Sequence, residues 1–181
     1  MKAARDRLSF VGRSVLYRHS RAPADICFMS DYRIAKLRCP VEVTLANGRR
    51  LDGDVFVQSV GRFRSGPEEP LDLLNDGDSF LPLALRDDSV CLIQKAQIAL
   101  VAAALPVSEK AEEANVVGMR VEFALVDGST HVGSVFPALR ADRPRLVDFL
   151  NETPLQFLAL FTSRQLRLVN RVHIVYVRPV S

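Results

Sequence analysis

The sequence predicts a mainly β protein built from two tandem small bent β-barrels, about five strands each, with short helical turns. Two observations carry the prediction. One is an internal repeat, whose copies span 39–104 and 118–181. The other is the alternation of apolar and polar residues leading into Asn47-Gly48 and Asp127-Gly128, the pattern of a half-buried strand ending in a tight hairpin turn.

The chain begins with a basic extension, residues 1–38. Six basic residues against two acidic ones precede Met29 and leave a charge of +4, while the rest of the chain carries −1. Leu8, Val11, Val15 and Leu16 share one helical face, although Gly12 interrupts it. Met29 reads as a natural start, which makes residues 1–28 an alternative or misassigned extension. Ser30 is placed to cap a short helix over DYRIAKLR.

In the first copy, Val41, Val43 and Leu45 alternate with Glu42 and Thr44, and in the second Val121, Phe123 and Leu125 alternate with Glu122 and Ala124. VEVTLANG and VEFALVDG lie 80 residues apart, and Gly53, Val55 and Phe56 keep that offset to Gly133, Val135 and Phe136. Gly53 and Gly133 fall inside the next strand, where a missing side chain marks a bulge or sharp bend. After a variable loop, LDLLN ending at Asn75 corresponds to VDFLN ending at Asn151, now 76 residues on. A third strand follows in FLPLAL and FLALF. CLIQKAQIALV and RLVNRVHIVYV then align without gaps and are read as a last hairpin in each copy. Between the copies, residues 105–117 have the polar character of a linker.

Composition narrows the function. No apolar run approaches the roughly 18 residues of a membrane-spanning helix. Cys27, Cys39 and Cys91 lack CxxC spacing and read as reduced thiols of a cytoplasmic protein. His19, His131 and His173 are scattered. The sequence carries no recognisable catalytic constellation, metal-ligand spacing or nucleotide-cofactor motif, and the chain is expected to be a non-enzyme without a cofactor.

The opening VxVxLxxGxxxxG, the later Asp/Asn pair and the closing aliphatic–basic–aliphatic strand resemble the Sm-like family of small bent barrels, which includes Hfq. This resemblance implies RNA contact at Asp72, Asn75 and Lys95 and at Asp148, Asn151 and Arg171. Two features depart from the family pattern. Asn75 and Asn151 precede the strand-opening Phe by five or six residues, and the closing motif has neither the Arg-Gly of eukaryotic Sm proteins nor the Tyr-Lys-His of Hfq. A local reading needs no ligand: Asp72 and Asp148 cap the start of a helical turn, and Asn75 and Asn151 end it in the left-handed conformation.

The expected function is therefore protein–protein interaction or self-assembly, with RNA binding as the alternative. The expected interaction edge comprises Ile98, Leu100, Val101, Ile174 and Tyr176, because these apolar closing strands need a covering partner. A homo-oligomer, such as a ring of six barrels from three chains, satisfies that need, as does a separate protein partner.

Overall fold

The computed structural model describes residues 36–61, 66–105, 118–137 and 145–180. Among the described residues, ten antiparallel strands and two short α-helices follow one another in two sets. The first is β1 (Lys36–Leu45), β2 (Arg50–Gln58), α1 (Pro70–Leu74), β3 (Phe80–Leu85), β4 (Val90–Gln94) and β5 (Ile98–Ala103). The second is β6 (Met119–Leu125), β7 (Thr130–Val135), α2 (Leu146–Glu152), β8 (Phe157–Phe161), β9 (Leu166–Asn170) and β10 (Ile174–Pro179). All ten strands belong to one open sheet in the order β10-β6-β7-β8-β9-β5-β1-β2-β3-β4. The strand order within the second set, 10-6-7-8-9, repeats the 5-1-2-3-4 of the first.

The hairpins form where the turn residues place them. Gly48 and Gly128 have φ of 80° and 82°, the left-handed backbone that a tight turn needs and that glycine adopts without strain. Gly53 answers a different demand. A Cβ there would stand 2.3 Å from the Ala84 carbonyl oxygen, and one on Gly133 would stand 2.6 Å from that of Phe161. Both glycines allow the third strand of their set to cross close over the second, bending the sheet.

Four expectations change. β1 starts at Lys36, so Lys36 to Arg38, read as helix, are strand, paired with Gln58 to Phe56. The remainder of the helical reading and residues 1–28 lie outside the described residues. The final segment of each set is not a hairpin. A single 3-10 turn, Lys95–Gln97 or Arg171–His173, redirects the chain so that β5 pairs with β1 and β10 with β6, away from the strand just completed. Asp72 and Asp148 are not the N-caps, which are Glu69 and Arg145. They sit three residues further on, where the Asp72 carboxylate accepts the Glu69 amide in a capping box. Asn75 ends α1 as its C-cap, as expected, but with φ of −97° rather than in the left-handed region, and Asn151 lies inside α2, whose C-cap is Thr153.

The apolar faces build two cores. The first joins Val41, Val43, Leu81 and Leu83 of the first set to Phe157, Leu166 and Leu168 of the second. The other joins Val121, Phe123, Leu158 and Leu160 of the second set to Ala99 and Leu100 of the first. Each core thus includes side chains from both sets.

Candidate functional site

The place where the sets join shows how one such sheet end binds another. β5 pairs with β9 antiparallel, from Leu100 opposite Val169 to Ala103 opposite Leu166. Polar clamps fix the register. Asn75 accepts the Phe157 amide at 2.9 Å and donates to the Phe157 carbonyl at 3.1 Å, so one side chain satisfies a backbone pair in the other set. In return Asn170, fully buried, donates to the carbonyls of Lys95 at 3.2 Å and Ile98 at 2.8 Å. His173 meets the Ala96 carbonyl at 2.7 Å. A buried amide with all its groups engaged rigidifies such a junction, because any slip would strand polar atoms without water.

At the two ends of the sheet the same kinds of strand have no neighbour among the described residues. Among the described residues, β4 pairs only with β3 and β10 only with β6. Their side chains mark the difference in burial. Phe157 is 0% exposed and Phe80, the equivalent first residue of β3, is 55% exposed. Leu168 in β9 is 0% exposed and Leu92 in β4 is 67% exposed. Ala99 in β5 is 0% exposed and Val175 in β10 is 63% exposed. Along β10 runs an apolar groove of about 460 Å³, bounded by Leu146, Val147 and Leu150 of α2 and by Ile174 to Val177.

The expected interaction residues divide accordingly. Ile98, Leu100 and Val101 are buried inside the chain, covered by β1 and β9. Ile174 is half-buried on the second core, and Tyr176 is exposed, its hydroxyl donating to Glu122 at 3.2 Å.

Five of the six residues assigned to RNA by resemblance are engaged within the protein, and Asn151 is exposed on α2. Lys95 is buried, its ammonium donating to the Leu73 carbonyl at 2.7 Å and paired with Asp76. Arg171 donates to the carbonyls of Leu150 at 3.3 Å and Thr153 at 2.5 Å. Both cations therefore tie the turn before the last strand to the end of a helix. Asp148 is paired with Arg145 at 3.0 Å, and Asn151 lies within α2.

One polar network escaped the sequence reading. Arg167 donates to Nδ1 of His131, which leaves Nε2 protonated and donating to Ser129 Oγ at 2.9 Å. Ser129 in turn donates to Asp127 at 2.6 Å. Burial and the Arg167 charge hold the His131 pKa below its usual value. The serine proton is directed at Asp127 rather than at the imidazole, so this arrangement stiffens the hairpin and does not activate a nucleophile. Burial, helped by Asp54, pushes the Cys39 thiol pKa up and away from thiolate chemistry. Among the described residues no group of three or more His, Cys, Asp or Glu is placed to hold a metal, and no helix is long and apolar enough to cross a membrane.

No protein-family model, curated protein or solved structure matches the chain.

Proposed function

We propose that the chain is a non-catalytic tandem of two Sm-like bent β-modules, working in the cytoplasm by protein–protein interaction or self-assembly through the two free ends of its sheet. One observation carries this reading: β4 and β10 expose apolar side chains at positions whose counterparts are buried where the two modules meet. An open sheet edge is a template for strand addition, and apolar groups beside it give the added strand something to bury. The RNA-binding alternative has less support, because Lys95 and Arg171 direct their donors at backbone carbonyls of the protein itself.

Capture from cells with the full chain, compared with Leu92→Lys and Val175→Lys, tests the reading. Both substitutions place a charge on an exposed edge position and leave the cores untouched. Proteins retained by the parent, including further copies of the chain, are expected to be lost with one variant or both. An identical set on all three would contradict edge-mediated interaction. Anisotropy with short single-stranded RNA, using the parent and the Lys95→Ala/Arg171→Ala double variant, addresses the alternative. Salt-sensitive binding lost in the variant would favour it.

A further inference from the structure

The two free ends of the sheet are complementary to one another. The β4 end carries projecting side chains, Phe80, Val90 and Leu92, all exposed. The β10 end carries the groove between α2 and the strand. Inside the chain, the equivalents of those three residues, Phe157, Leu166 and Leu168, are buried against the core that backs β5. The first core is thus covered by Phe157, Leu166 and Leu168 of the second set, whereas the second core, which takes in Ala99 and Leu100 of the first, is left with an open groove beside α2 and β10.

We propose that the occupant of that groove is a second copy of this chain, bound head to tail, with β10 of one chain beside β4 of the next. The proposal rests on the edge-mediated reading above and names its partner. The register follows from the β5–β9 pairing when each residue is replaced by its counterpart in the other set. Leu100 opposite Val169 becomes Tyr176 opposite Ile93, and Ala102 opposite Arg167 becomes Arg178 opposite Cys91 of the next chain. The polar clamps have their counterparts too. Asn151, the sequence counterpart of Asn75, is exposed on the last turn of α2 and is assigned to the backbone of Phe80, and Gln94, the counterpart of Asn170, to the carbonyls of Arg171 and Ile174.

The outer junction is the weaker of the two. The Val180 amide donates to Arg120 in β6, so the amide position one residue earlier faces the open side of β10. That residue is Pro179, which has no N–H to give. Gln94 also has one more rotatable bond to order than Asn170. The contact is consequently concentration-dependent, and because it joins unlike surfaces it propagates into a ring or a filament instead of stopping at a symmetric pair.

Light scattering on the eluting full chain, over a wide concentration range, tests this. The mass of the parent is expected to rise above one chain with concentration. Leu92→Lys spoils the projecting end and Val175→Lys the groove, so each alone stays at one chain. Mixed, they retain one good surface apiece and give a mass of two chains and no more. A register-specific measurement accompanies it. In a Cys27→Ser/Cys39→Ser background, Arg178→Cys is expected to form disulfide-linked multimers through Cys91 under mild oxidation, since facing residues on adjacent antiparallel strands lie within disulfide reach. A parent that keeps the mass of one chain at every concentration, and an Arg178→Cys variant that does not cross-link, would overturn the second-copy proposal. If proteins other than the chain were still captured through the edges, the broader reading would survive that failure. If capture were also unaffected by the two lysine variants, both would fall.

Discussion

The β5–β9 junction and the two ends of the sheet are made from corresponding strands in contrasting environments. At the junction Phe157, Leu168 and Ala99 are buried and Asn75 and Asn170 are saturated with backbone hydrogen bonds. At the ends Phe80, Leu92 and Val175 face solvent and Gln94 is exposed. The difference lies less in side-chain type than in whether a neighbouring strand is present. Phe answers to Phe and Leu to Leu at the projecting surface, so the same chemistry stabilises the fold in one place and remains available for binding in the other. Substitutions at corresponding positions should therefore differ in cost while the chain is dilute.

The largest contrast is expected for the paired phenylalanines. Phe157→Ala should destabilise the dilute chain by about 3–5 kcal/mol, the usual cost of emptying a buried aromatic site. Phe80→Ala should stay within about 0.5 kcal/mol, as exposed substitutions do. Thermal or urea melts of the two variants provide the check, and equal losses would break the comparison. Next come the amides. Asn170→Ala leaves buried carbonyls without donors and should cost about 1–3 kcal/mol, against little for Gln94→Ala under the same conditions.

A smaller and symmetric effect is expected away from both regions. Gly48→Val and Gly128→Val each force a β-branched residue to positive φ, at a cost of about 1 kcal/mol or more. Unequal melting shifts would show that the two opening hairpins are not equivalent. The smallest effect is a pH dependence confined to the second set. His131 faces Ser129, Asp127, Arg167 and Arg50, and its pKa in the folded chain lies below the ordinary 6.5. The unfolded chain therefore binds the proton first as pH falls, so this contribution to stability is present above pH 6.5 and is lost on acidification towards the folded value. Melts of the parent and of His131→Gln across that interval should converge at the acid end.

Much of the local fold was legible because it depends on nearest neighbours. The alternation in VEVTLANG and VEFALVDG, the Asn-Gly and Asp-Gly turns and the closely approached glycines inside β2 and β7 carry their signal in the local sequence. What was hidden depends on contacts far apart in sequence. Nothing local to Asn75 announces that it will bind Phe157, 82 residues away, rather than end its helix in the left-handed region. Nothing local to QKAQI tells a hairpin from a 3-10 turn that sends β5 to β1. The expected interaction edge was half legible for the same reason. Apolar content marked both closing strands, but only the pairing of β5 with β9 decides that Ile98, Leu100 and Val101 are sealed within the chain while β10 stays open. The Ser129–His131–Arg167 network had a partial signal in Ser129 and His131, which alternate on one strand face. Arg167 reaches them only because β7, β8 and β9 are neighbours in the sheet.

Hydrogen exchange of the full chain at low and at high protein concentration tests the head-to-tail account most directly. Amides of β5 and β9 should be protected equally at both, since their junction is internal. Amides of β4 and β10 should exchange readily in the dilute chain and gain protection together as concentration rises. Protection appearing at only one of those strands, or at neither while the chain stays folded, would contradict the pairing of the two ends.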